Sequence, residues 1–296
     1  MVNLRNYIGQ EQLIKNLRTI VRAKRDCGIY DPPIDHLLFS GFAGLGKTTL
    51  AEIVAKELGC PLIKLMGPHL TDVNRLSFLK DIAGWSFVFI DEIHSLPSKV
   101  EEALYEPMDA FKWQGQPIKS FTLIGATTKE GLISKPLRSR FTIVERLIPY
   151  KIPEIREIVR QKATELKLTI DEMALDLIAQ RAKGVPREAI QLLKRVSYYG
   201  AQITSISAQN ALDSIGVDAL GLGGLDRTIL KTMRDGFAGG PVGIDSLANV
   251  AGEDVATIES KEPYLVQVGF IQRTGKGRIL TKEGLQYVLS NEQKGE

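Results

Sequence analysis

Cysteine and histidine are scarce in this chain, with two of the first and three of the second among 296 residues. So few thiols exclude a disulfide framework. Cys27 and Cys60 stand in unlike contexts without CxxC spacing, so both are expected to be free thiols of a reducing cytoplasm. Three scattered histidines, with no cysteine or acidic cluster at ligand spacing, point away from a zinc site. No segment approaches the roughly 18 consecutive apolar residues of a membrane helix, and Met1–Asn6 lacks the apolar core of a signal peptide. A cytoplasmic protein with no membrane partner is expected. An excess of one charge is also missing: 38 basic against 35 acidic residues leave +3, too little to argue for nucleic acid. Residues 218–296 are even net acidic (9 − 11 = −2), so DNA binding there would need a local basic cluster. What remains, 44% hydrophobic and 25% charged, is ordinary for a globular chain of two or three domains.

The first half alternates helix and strand. Leu13, Leu17, Ile20 and Val21 have helical spacing within Ile8–Lys24, and Tyr30–Pro33 reads as a turn. Buried-type strands are expected at His36–Ser40, Ser86–Ile90 and Phe121–Ala126. Strands separated by helical stretches imply an α/β fold with a parallel sheet covered on both faces. From Pro153 to Leu212 the pattern is helical, with breaks before Asp171 and at Gly184–Arg187. Four glycines in Gly216–Gly224 suggest a linker. Apolar stretches around Thr274-Gly275-Lys276-Gly277 then read as a basic-tipped hairpin, and helices plus such a hairpin suggest a winged helix. The expected division is an ATPase domain over 1–149, a helical lid over 150–217 and a winged helix over 218–296.

Gly41-Phe42-Ala43-Gly44-Leu45-Gly46-Lys47-Thr48 fits GxxxxGK[ST] between a strand and a helix, where a phosphate loop must lie. Glycines let successive N–H groups curl around phosphate, the helix N-terminus adds a favourable dipole, Lys47 reaches the outer phosphates and Thr48 can ligate Mg²⁺. About 45 residues later the apolar strand Phe87–Ile90 ends in Asp91-Glu92, one acid for the Mg²⁺ shell and one to polarise water. Together these imply a P-loop ATPase. Thr127-Thr128 ends the next strand, on the side where parallel sheets bind ligands. Arg138 and Arg140 could act in trans on a neighbour's γ-phosphate, and Arg187 could swing onto the nucleotide. His94 reads as a coupling or packing residue.

These residues, with Tyr7-Ile8-Gly9-Gln10, Pro136–Phe141, Leu104-Tyr105, Phe237–Gly243 and Glu262-Pro263-Tyr264-Leu265, resemble the RuvB family of AAA+ branch-migration motors in collinear order from about residue 4 to 290. The resemblance implies an AAA+ domain, a lid and a winged helix, working as a hexameric ring that drives duplex DNA through four-way junctions with ATP and Mg²⁺. It assigns Gly41, Gly44, Gly46, Lys47, Thr48 and Thr49 to the nucleotide, with Tyr7 and Ile8 at adenine and Tyr150 nearby. Thr48 and Asp91 serve the metal, Asp91 and Glu92 hydrolysis, Thr128 and Arg187 the two sensors, and Arg140 the trans-acting finger. Arg273, Lys276 and Arg278 are assigned to DNA. Two other functions stay open, a protein-remodelling ATPase and an ATP-gated DNA-binding recruitment factor.

The chain also departs from the family pattern. Phe42-Ala43 replaces Pro-Pro, Thr142 replaces a glycine, and the segment before Tyr7 that packs on the nucleotide in the family is expected to be short. Only nine residues, Lys112–Ser120, fill the place of a much longer β-hairpin that docks the adaptor RuvA. They offer Trp113 and Ile118 as the only apolar groups around a Gly-Gln-Pro turn. Conventional RuvA is therefore expected to bind weakly or not at all.

Overall fold

A computed structural model describes residues 2–27 and 34–292. The expected turn at 30–33 and the side chain of Cys27 lie outside them. The chain divides into two compact units, residues 1–158 with 184–188, and residues 159–183 with 189–296.

The first unit is built on a five-stranded, all-parallel sheet. Its strands are β1 (Leu37–Ser40), β2 (Leu62–Met66), β3 (Ser86–Asp91), β4 (Phe121–Thr127) and β5 (Ile143–Arg146), in the order β2-β3-β4-β1-β5. The three inner strands are the apolar runs legible in the sequence. Phe39, Phe87, Phe89 and Phe121 are among its largest fully buried side chains. The two edge strands are not among the expected ones. Neither contains a fully buried residue, and charge cuts each apolar run short, at Lys64 in β2 and at Glu145-Arg146 in β5, so no continuous apolar stretch announces them. Helix α1 (Glu11–Cys27) precedes the sheet and α2 (Lys47–Glu57) follows β1 directly. Register pairs Ser40 with Thr127 and Met66 with Asp91. The carboxyl ends of β1, β3 and β4 therefore form one rim, from which the phosphate loop, Asp91-Glu92 and Thr127-Thr128 all emerge.

Lys112–Ser120 forms a hairpin with strands of two residues each, Lys112–Trp113 and Gln116–Pro117. Its turn lies at Gln114-Gly115, both at positive φ, one residue earlier than the expected Gly-Gln-Pro turn. Trp113 is only 3% exposed and belongs to the cluster of Phe121, Leu123 and Met108.

In the second unit, Asp171 caps helix Glu172–Arg181 by accepting the Ala174 N–H, and Thr204 caps Ser205–Ser214 through a capping box. A two-residue parallel pairing of Thr169–Ile170 with Gln202–Ile203 interrupts the expected all-helical pattern. The Gly216–Gly224 segment is an ordered loop, not a free tether. Leu222 is buried, the Asp218 carboxylate accepts the N–H groups of Leu220 and Leu222, and a Cβ on Gly221 (φ +78°) would strike the Arg181 carbonyl. Helices Gly224–Phe237, Ile244–Ala251 and Val255–Gln267 then enclose a core with Ile229, Met233, Leu247 and Leu265. Strands β6 (Ile271–Thr274) and β7 (Gly277–Leu280) form the expected antiparallel hairpin, followed by helix Lys282–Glu292. No helix among the described residues is long and apolar enough to cross a membrane.

Candidate active site

β1 runs into a loop whose turns need glycine. Gly41, Gly44 and Gly46 have φ of +137°, +80° and +106°, a region that side chains avoid. Space is equally restrictive. A Cβ on Gly44 would sit 2.8 Å from Val185 Cγ1 and 2.9 Å from Arg187 Cβ, and one on Gly46 would sit 2.8 Å from the Tyr7 hydroxyl. The loop is a backbone cradle with side chains packed around it. Lys47 opens α2, and its ammonium donates to the carbonyls of Gly41 (2.8 Å) and Phe42 (3.0 Å). Burial pushes its pKa down, while the Glu92 and Asp91 carboxylates pull it up and the Arg187 charge lowers it further.

The Thr48 hydroxyl donates to Asp91 Oδ2 at 3.4 Å, and Asp91 Oδ1 accepts the Glu92 N–H at 3.0 Å. A hydroxyl and a carboxylate brought together at the cradle's edge are hard oxygen donors suited to Mg²⁺, so these residues fit the ion. Thr49 is exposed on the first turn of α2.

Glu92 has a left-handed backbone at φ +49°, costly for a side chain and typical of a constrained functional position. Its Oε2 accepts the Thr128 hydroxyl at 2.9 Å and lies 3.2 Å from His94 Nδ1. His94 Nδ1 is also 2.9 Å from Thr127 Oγ1. Burial pushes the imidazole pKa down despite the neighbouring Glu92. Of the two threonines, Thr128 thus faces the acid while Thr127 is fully buried and meets the histidine.

Tyr7 and Tyr150 join hydroxyls at 2.9 Å, and the Tyr150 hydroxyl also lies 3.2 Å from the Leu45 carbonyl. Burial raises both phenol pKa values, so both stay neutral donors. Ile8 is half-buried beside them. Gln10 adds a role that the sequence does not assign. Its side-chain amide donates to the Ile148 carbonyl (2.7 Å) and accepts the Ile148 N–H (3.2 Å), which ties the Tyr7 segment to the Tyr150 segment. Only its place in Tyr7-Ile8-Gly9-Gln10 could have signalled this. Arg187 reaches the cradle through its N–H, 3.4 Å from the Gly44 carbonyl.

Arg138 and Arg140 are engaged elsewhere. Arg138 pairs with Glu130 at 2.9 Å and Arg140 with Asp109 at 2.7 Å.

On the wing, Arg273 and Arg278 stand directly opposite each other across β6 and β7, a like-charge pairing that needs relief. Glu262, with a side chain only 2% exposed, supplies it. Its carboxylate accepts Arg273 Nη2 (2.5 Å) and Arg278 Nε (2.7 Å) and Nη2 (3.3 Å). Burial would raise this carboxyl's pKa, but the hydrogen bonds from Arg278 and Arg273 prevail and hold it below the usual range. The two arginines nonetheless differ, since Arg273 is 58% exposed and Arg278 only 20%. Lys276 is exposed at the hairpin tip.

Three family descriptions match the chain in succession: the Holliday junction DNA helicase RuvB P-loop domain over residues 2–147, the RuvB AAA lid domain over 150–218 and the RuvB C-terminal winged helix domain over 219–289. The Holliday junction branch migration complex subunit RuvB of Anaeromyxobacter sp. is 41% identical, across 92% of this chain and 84% of that protein. The corresponding subunit of Oleidesulfovibrio alaskensis is 40% identical across 96% and 94%. The solved structure described as the Thermotoga maritima RuvB Holliday junction branch migration motor superposes with a TM-score of 0.91 at 38% identity, covering 97% of each chain.

Proposed function

The chain belongs to the RuvB family, and from that premise we propose an ATP-driven DNA motor that moves four-way junctions in recombination and repair. The observation that carries the enzymatic part is the rim where the glycine cradle, Lys47, the Thr48–Asp91 pair and the Glu92–Thr128 pair meet.

The cradle's N–H groups and Lys47 bind and orient the phosphates of ATP, and burial strengthens the lysine's charge–charge contact with them. Tyr7 and Ile8 flank the base, and Tyr150 lies near the nucleotide with its hydroxyl on the Leu45 carbonyl. Thr48 and Asp91 hold Mg²⁺, which when bound neutralises phosphate charge and orients the phosphates for in-line attack. Glu92 orients the attacking water and accepts its proton. The Thr128 hydroxyl holds that carboxylate's direction, so Thr128 senses whether Glu92 points at the phosphate or at the sheet. Arg187 is carried to the cradle by the Gly184–Glu188 segment, and Arg140 completes a neighbour's site in a hexameric ring.

On DNA, exposed Arg273 and Lys276 contact phosphates, and Arg278 supports them through Glu262. The 1–149, 150–217 and 218–296 segments serve as motor, lid and DNA-binding module. The docking hairpin is stubby and its tip, Gln114–Gln116, is exposed and polar, with Trp113 turned into the core. A docking surface needs an apolar anchor, so RuvA binds weakly and the motor loads on DNA unaided or through another partner. Its place is the cytoplasm.

Steady-state ATPase assays with Mg²⁺ test this reading. A synthetic four-way junction should raise turnover several-fold over no DNA, without RuvA. Turnover indifferent to DNA would favour a protein remodeller instead.

A further inference from the structure

Arg140 is held from three sides. Its Nε donates to Asp109 Oδ2 at 3.0 Å and its Nη2 lies 2.7 Å from the same oxygen. Nη1 donates to the Pro136 carbonyl at 2.7 Å. The guanidinium carbon sits 4.0 Å from the centroid of the Tyr105 ring. Tyr105 and Asp109 are four residues apart on helix Tyr105–Ala110, so they project from one helix face and grip one guanidinium together. The tyrosine is itself fixed. Its hydroxyl donates to Glu101 at 2.7 Å and lies 3.4 Å from the Ser134 hydroxyl. Ser134 in turn caps helix Lys135–Arg138, from which the chain runs straight into Arg140.

The count of donors shows what this grip leaves available. A guanidinium has five N–H groups, and the contacts to Asp109 and Pro136 use three of them. Two remain, both on the terminal nitrogens, enough for a two-point contact with phosphate. Arg140 and Asp109 also line an open cleft of about 530 Å³, so these donors have access to an incoming group.

We propose that Tyr105 and Asp109 are positioning residues that hold the Arg140 guanidinium ready for the phosphates of a nucleotide bound to the neighbouring subunit. The proposal rests on the reading of Arg140 as the trans-acting arginine. A long side chain loses much rotamer freedom when it is ordered. Ordering it in advance keeps that cost out of the catalytic step, and a misplacement of about 1 Å at such a contact can cost roughly 100-fold in rate.

The test measures kcat and KM for ATP on four-way junction DNA for the full-length protein and for Arg140→Ala, Asp109→Ala, Tyr105→Leu and Tyr105→Phe. Asp109 is about half exposed, so its truncation leaves the fold intact even if a Tyr105 variant does not fold. Asp109→Ala and Tyr105→Leu should lower kcat by roughly 10- to 100-fold with KM within twofold, and Tyr105→Phe, which keeps the ring face, should fall less. Mixing either impaired variant with Lys47→Ala subunits, which lack a working cradle but carry a well-held Arg140, should restore part of the activity. A fold defect in the variant's own site could not be rescued in this way. If Arg140→Ala keeps its kcat, the trans-arginine reading itself fails. If Arg140→Ala is impaired while Asp109→Ala has unchanged or raised kcat, or if mixing restores nothing in rings shown to co-assemble, the positioning role is overturned alone.

Discussion

Arg278→Ala should loosen the wing far more than Arg273→Ala, although the two arginines face each other on the same hairpin and share one carboxylate. Arg278 supplies two of the three hydrogen bonds that Glu262 receives from these arginines. Removing it strands a carboxylate that is 2% exposed with one partner that is itself 58% exposed. Breaking a buried pair by deleting one member costs about 3–5 kcal/mol. Because Arg273 stays, the lower end applies, about 3 kcal/mol. Arg273→Ala removes a solvent-screened contact worth about 1 kcal/mol or less. Native-state amide exchange along Ile271–Leu280 reads this locally, and 3 kcal/mol corresponds to roughly 150-fold faster opening. Salt dependence of DNA binding gives the complementary readout. Arg273→Ala should lower the slope of log K against log salt by about 0.9, one phosphate contact, while Arg278→Ala should leave the slope unchanged at a temperature where the wing is folded. Acid supplies a further check. Glu262 has a folded pKa below its unfolded value, so its contribution is complete above the ordinary carboxylate range and is lost as pH falls through the folded value. Wing exchange should therefore accelerate in acid, and Glu262→Gln should flatten that dependence. Equal exchange rates in the two arginine variants would refute the division of roles.

Lys47→Ala should abolish tight nucleotide binding, whereas Glu92→Gln should bind ATP normally and turn over roughly 10²- to 10⁴-fold more slowly, as separate nucleotide titrations and single-turnover assays would reveal. Gly44→Ala places a methyl group 2.8 Å from Val185 Cγ1 and 2.9 Å from Arg187 Cβ at φ +80°, so it should push Arg187 away and weaken ATP binding by about tenfold, at a stability cost of roughly 1–3 kcal/mol; unchanged affinity would show that Arg187 does not depend on this contact. Labelled RuvA titrated against the protein with ATP should show no binding at low micromolar concentration, and a Kd there, about −8 kcal/mol, would restore the ordinary partnership.

The chemistry-bearing parts of this protein are legible because they are local in sequence. The cradle is one octapeptide, Asp91-Glu92 ends an unbroken apolar strand, and the wing shows two apolar stretches around a glycine turn. The missing parts are relations between distant residues. Strands β2 and β5 are sheet edges whose apolar runs are cut by charged residues, Lys64 in the one and Glu145-Arg146 in the other. Glu262 lies within helix Val255–Gln267 between Lys261 and Pro263, and nothing local reveals that it is buried or that it collects Arg273 and Arg278. That contact changes how Arg278 reads, from a phosphate contact on DNA to a half-buried support of the hairpin. Trp113 shows the same limit, since a tryptophan in a short polar hairpin looks like an exposed anchor until its neighbours Phe121 and Met108 are in place. Asp109 and Tyr105 have helical spacing in sequence, but their common target lies 31 residues beyond Asp109.

ATP hydrolysis at the Lys47–Asp91–Glu92 rim should be what moves DNA. The direct measurement is conversion of a labelled synthetic four-way junction into its duplex products by the purified protein with ATP and Mg²⁺ and without RuvA, with Glu92→Gln in parallel. Conversion that requires ATP and is lost in Glu92→Gln is the expected result. A junction that stays intact while the parent protein hydrolyses ATP on it would show that hydrolysis at this rim does not drive branch migration.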